Sequence, residues 1–127
     1  MTGNNIRRVL ATTAASIAAA ATGLLVAAPP AQAASCYATN GDLRCGNAYN
    51  ASIKQIPAYD RNGVPVATVD YLRTTFSWFD CWTTGQRHSG GNSVWYRTYG
   101  DVTGRWGYVA AVSVYTPTDP FPGVAHC

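Results

Sequence analysis

The side chains able to do acid–base or nucleophilic chemistry are His88, His126, six aspartates and four cysteines; there is no glutamate, and Lys54 is the single lysine. Two histidines can cleave RNA as general acid and base, with Lys54 or an arginine steadying phosphate. That use requires the C-terminal tail, which carries His126, to fold back onto the loop Arg87-His88-Ser89-Gly90-Gly91. Two solvated loop histidines are the plainer expectation. A carboxylate pair of glycosidase type has only aspartates to draw on. Asp80, in Trp78-Phe79-Asp80-Cys81, has aromatic neighbours, but a lone strand aspartate is more often outward-facing or hydrogen-bonded. No HExxH, other metal spacing or phosphate-binding glycine loop occurs. No catalytic residue, metal or cofactor is expected.

The cysteines are better explained as staples. All four (Cys36, Cys45, Cys81 and Cys127) follow an N-terminal leader, and an even count in a small exported chain implies disulfides. Asn40-Gly41 sits between Cys36-Tyr37-Ala38-Thr39 and Asp42-Leu43-Arg44-Cys45, a strong two-residue hairpin signal because both turn positions need positive φ. The resulting register sets Thr39 against Asp42, Ala38 against Leu43, Tyr37 against Arg44 and Cys36 against Cys45. Opposed residues lie about 4.5–5.5 Å apart at Cα, within disulfide reach. Cys36–Cys45 is therefore expected, which leaves Cys81–Cys127. A zinc site would need ligand pairs at closer spacing than Cys36 and Cys45 offer.

The leader occupies residues 1–33. Met1 to Arg8 lacks acidic groups, an Ala/Leu/Val-rich stretch runs from Val9 to Ala28, and Pro29-Pro30 precedes Ala31-Gln32-Ala33. This is the pattern of a cleaved signal peptide. Thr12, Thr13, Ser16 and Thr22 dilute the apolar stretch and argue against a membrane anchor. Arg7-Arg8 leaves twin-arginine export open beside the general route, since Ile6 stands where Ser or Thr is usual. Without Arg7 and Arg8, seven of the nine basic residues face six aspartates, a net charge of +1. No basic stripe is visible, so neither a nucleic-acid partner nor a membrane is expected for the mature, extracellular chain.

After the leader, short β-branched and aromatic runs alternate with turn signals, which reads as all-β. The expected organisation is a disulfide hairpin at 34–47, a barrel of five to six short strands at 48–115, and a Pro-rich tail at 116–127 tied back by the second bridge. Ser52–Ala58 contains Pro57 and reads as an edge segment. Val64–Leu72, Thr74–Trp82, Ser93–Tyr99 and Trp106–Ala110 read as strands. Thr84–Asn92 and Gly100–Gly104 read as loops, and Ala111–Tyr115 as a turn and a last strand.

Cys81-Trp82-Thr83-Thr84-Gly85-Gln86, Trp95-Tyr96-Arg97 and Gly107-Tyr108-Val109 resemble, in that order, the second half of a bacterial SH3-type (SH3b) domain. More narrowly they resemble small secreted SH3-like proteins of actinobacteria, as does the tail Asp119-Pro120-Phe121-Pro122-Gly123 ending in Cys127. Val64-Pro65-Val66 and Tyr71-Leu72 are similar to the family's second strand. Ile53-Lys54-Gln55-Ile56-Pro57-Ala58-Tyr59 replaces its usual first strand, so no ligand site is carried over. The resemblance implies a small SH3-like barrel that binds cell wall.

All fifteen aromatic residues lie beyond the leader. Alternation along Thr74–Trp82 puts Trp78, Asp80 and Trp82 on one face. Exposed Trp and Tyr suit stacking on sugars or clasping an extended peptide. The expected ligand-binding residues are Trp78 and Trp82, with Tyr59 as a neighbour, and the expected ligand is peptidoglycan or an extracellular peptide. The competing readings are a protease inhibitor presenting the Thr84–Asn92 loop, which its three glycines make flexible, and a secreted nuclease or toxin using His88 and His126.

Overall fold

The structure, a computed structural model, describes residues 36–61, 63 and 65–127. The expected signal peptide, residues 1–33, lies outside the described residues. Among the described residues eight strands run in chain order: β1 (Tyr37–Thr39), β2 (Asp42–Gly46), β3 (Ala51–Lys54), β4 (Thr68–Leu72), β5 (Phe76–Phe79), β6 (Cys81–Thr84), β7 (Val94–Tyr99) and β8 (Trp106–Ala110). Among the described residues a single 3-10 turn, Ala111–Ser113, interrupts the β structure, and no helix is long and apolar enough to cross a membrane.

The hairpin forms in the expected register, with Tyr37 opposite Arg44, Ala38 opposite Leu43 and Thr39 opposite Asp42. Asn40 and Gly41 take φ of 53° and 87°, the left-handed pair that lets two residues reverse the chain. Both disulfides pair as expected. Cys36–Cys45 joins Cα atoms 4.1 Å apart, and Cys81–Cys127 closes a sequence separation of 46.

The all-β expectation holds, but the strands form two sheets that do not close into one barrel. β2 pairs with both β1 and β5 in a three-stranded sheet, while β4-β3-β8-β7-β6 make a five-stranded one. The hairpin is therefore no appendage, because its second strand carries β5. Apolar residues from both sheets, among them Leu43, Phe79, Ile53, Leu72, Tyr96 and Val109, are buried together. The Phe79 and Tyr96 rings meet across the sheets at 5.9 Å.

Three segments differ from their expected form. β3 is interior, flanked by β4 and β8, and Pro57 lies beyond its end, where the missing N–H breaks no ladder. β4 begins at Thr68, after Pro65. Most consequentially, Thr74–Trp82 is not one strand. The Asp80 N–H donates to the Arg97 carbonyl while Cys81 is the residue opposite Arg97, so two residues face one. This is a bulge, and one extra residue inverts the alternation beyond it. Phe79 and Trp82 therefore both face the buried cluster, and Trp78 does not share Trp82's face.

The tail is tied down by more than its disulfide. The Trp82 N–H donates to the Ala125 carbonyl and the Cys127 N–H to that of Trp82, extending β6 with a parallel bridge at His126. The last expected strand is a single bridge between Val114 and Asn47 that follows the 3-10 turn.

Candidate functional site

The two sheets diverge where β5 leaves β6, and the gap is an open cleft of about 530 Å³. β5 supplies Phe76, Ser77 and Trp78, while the β7–β8 hairpin supplies Thr98, Tyr99, Asp101 and Trp106. Cross-strand pairing sets Tyr99 directly opposite Trp106 at the end of that hairpin. Phe76, Tyr99 and Trp106 are 42%, 48% and 49% exposed.

The rings touch one another in sequence. Trp78 and Trp106 stand at 68° with centroids 5.7 Å apart, and Tyr99 and Trp106 at 66° and 5.4 Å. These are edge-to-face contacts, in which the positive rim of one ring meets the negative face of another. The Trp78 indole N–H donates to Asp42 Oδ2 at 2.9 Å, anchoring the ring to the hairpin. The Arg97 guanidinium lies 5.2 Å from the Trp106 centroid and is itself paired with Asp80 through Nε and Nη2. That pairing strengthens the hold of Arg97 on its proton.

The hairpin is held in place by a buried anion. Asp70, on β4, is 1% exposed. It accepts hydrogen bonds from the backbone N–H groups of Tyr71, Val102, Thr103 and Arg105 and from the Thr103 hydroxyl. Burial alone would push this carboxyl up, but the convergent donors hold it well below the usual carboxylate range. A Cβ on Gly100 would sit 2.0 Å from the Asp70 carboxyl carbon, so only glycine lets the loop approach this closely.

Of the three expected ligand-binding residues, only Trp78 lines the cleft. Trp82 packs against the buried cluster on its own face, its ring 4.3 Å from that of His126. Tyr59 lies elsewhere, 5.0 Å from the Trp95 ring and under the Lys54 ammonium, with its N–H donating to Gln86 Oε1. Burial there pushes its hydroxyl pKa up. Phe76, Tyr99 and Trp106 were missed as site residues. The signal for two of them was present in the sequence, since an aromatic flanks the Gly100–Gly104 loop closely on each side.

His88 is committed to structure. His88 is buried, donates from Nε2 to the Val94 carbonyl, and accepts from the Gly90 N–H at Nδ1. The neutral tautomer with its proton on Nε2 satisfies both contacts. This pins the Thr84–Asn92 loop, which is further held by Gln86 N–H to the Pro57 carbonyl and by Trp95 Nε1–H to the Gln86 carbonyl. The loop is thus tethered, where its glycines suggested flexibility. Among the described residues no group of three or more His, Cys, Asp or Glu could hold a metal ion. Comparison with known proteins found no match among family models, curated proteins or solved structures.

Proposed function

We propose that this chain is an exported, non-catalytic SH3-like binding module that associates with the cell wall and holds a glycan or peptide in the cleft between its sheets. The observation that carries the reading is the row Phe76, Trp78, Trp106 and Tyr99 along one open cleft of about 530 Å³, within the range usual for small-ligand sites. Rings with few rotors bury apolar area against a sugar or peptide with little ordering entropy to lose. The SH3-like part rests on the motif order, which falls on the antiparallel strands β6, β7 and β8. Export is supported by the leader and by two disulfides in a small domain. Engagement of both His88 nitrogens by backbone supports a role without acid–base chemistry.

The experiment is co-sedimentation of the oxidised protein with purified peptidoglycan, beside Trp106→Ala and Tyr99→Ala. Sedimentation lost in both variants, with urea denaturation showing that both remain folded, is the expected result. Retention by both would remove the cleft from consideration. One observation favours a second reading, protease inhibition: the Thr84–Asn92 loop is pinned through His88 while Arg87 and Ser89 stay exposed. Titration against trypsin and subtilisin tests it directly.

A further inference from the structure

The residues lining the cleft include four aromatics, one carboxylate (Asp101) and no lysine or arginine. Trp106 stands between two rings set at steep angles to it, Trp78 on β5 and Tyr99 on β7. All three line the same open cleft. One cation, the Arg97 guanidinium, already lies over the Trp106 ring, its charge balanced by Asp80. Hydrogen bonding of Trp78 Nε1–H to the Asp42 carboxylate shifts electron density into that indole.

The surrounding charges have the same sense. Asp70 lies buried directly beneath Gly100, between the two lining residues Tyr99 and Asp101. Its donors are backbone amides and a hydroxyl, and no salt bridge to it forms among the described residues. Its negative charge is therefore solvated by dipoles without being cancelled. Two arginines are near in sequence. Arg73 turns its guanidinium onto the Tyr71 ring at 5.5 Å, and Arg105 is exposed.

We propose that the cleft takes an organic cation, a quaternary or alkylated ammonium on a short apolar chain, with Trp78, Trp106 and Tyr99 around the charge and Asp101 as its counter-ion. The inference rests on the cleft being the binding site proposed above. Ring faces carry the negative part of the aromatic quadrupole and attract such a cation. A quaternary ammonium has no N–H groups to leave unpaired in an aromatic cleft, so it loses less on leaving water than a primary ammonium does. A neutral group of the same shape gains the apolar contact alone. Discrimination between the two thus separates a cation site from a merely greasy one.

The test is a calorimetric titration of the oxidised protein with choline and with its neutral isostere 3,3-dimethylbutan-1-ol. The expected result is saturable choline binding at least fivefold tighter than that of the isostere. A smaller ratio, or no choline binding, overturns the proposal. Trp106→Ala should weaken choline binding tenfold or more, and Tyr49→Ala, at an exposed ring outside the cleft, should leave it unchanged. Asp101→Asn keeps an oxygen to accept the Arg73 N–H and should weaken choline without weakening the neutral isostere. Equal loss for both ligands overturns the counter-ion role. Choline is then added to the wall sedimentation. Sedimentation with no choline binding leaves the wall reading standing and removes the cation. Choline binding without sedimentation does the reverse.

Discussion

The indole of Trp78 meets that of Trp106 edge-on, 5.7 Å between centroids, although the two residues belong to different sheets. This contact joins the walls of the cleft. It also makes the cleft depend on how β5 is aimed, and hence on the bulge at Asp80 and on the pairing of β5 with β2.

A double-mutant cycle on Trp78→Ala and Trp106→Ala measures that joint. Edge-to-face pairs contribute ~0.5–1.5 kcal/mol beyond area burial, so a coupling of about 1 kcal/mol in urea denaturation is expected. Additivity within about 0.3 kcal/mol would show that the rings are merely adjacent.

Acid should weaken the fold through Asp70. Its carboxyl binds a proton less readily in the folded protein than in the unfolded chain. The resulting stabilisation is complete above the unfolded value of about 3.9 and is lost as pH falls from there toward the folded value. Asp70→Asn turns an amide N–H₂ toward a cluster made mostly of backbone N–H groups, which can only donate, and should lower stability at neutral pH by about 2–4 kcal/mol. Urea midpoints collected from pH 6 to pH 2 should hold level down to about pH 4 and then fall for the parent, and fall much less for the variant. Parallel curves would mean another group controls the acid limb.

The two disulfides should differ in worth. In the loop-entropy treatment a bridge spanning 46 residues is worth about 4 kcal/mol, and one spanning 9 residues about 2.6 kcal/mol. Replacing Cys81 and Cys127 together by Ala should accordingly destabilise more than replacing Cys36 and Cys45. Thermal melts of the two pairs decide the order.

His88→Ala should lower stability by about 2 kcal/mol, because the substitution unpins a loop and leaves the Val94 carbonyl and Gly90 N–H without their partner. His126→Ala, at an exposed position against Trp82, should cost less. Wall binding per folded molecule should survive both. A hundredfold or larger loss of a measured activity, such as RNA cleavage, in the double variant with the fold intact would return the histidines to a chemical role.

What was legible in the sequence was local. Asn40-Gly41 announces its own turn, the turn determines which residues face one another, and that register selects the disulfides. The strands around Trp95 and Tyr108 are short runs whose side chains match their burial. The failures come from non-local pairing. Alternation assumes an unbroken strand, and nothing in Phe79-Asp80-Cys81 marks the extra residue that turns Trp82 inward. Whether a strand is interior, as β3 is, depends on what arrives on its other side, here β8, more than fifty residues further along. The cleft was hidden for the same reason, since its walls come from segments on either side of a sheet boundary.

The fastening of the tail to β6 bears on self-association. A strand at a sheet margin presents unpaired amides and carbonyls, a template on which another chain can build. Here the N–H and carbonyl of Trp82 are taken by Ala125 and Cys127 of the same molecule, with the His126 ring edge-on to that of Trp82. The bridge between Cys81 and Cys127 thus works as a latch on a margin otherwise open to polymerisation, and reductive release of the tail would expose that template.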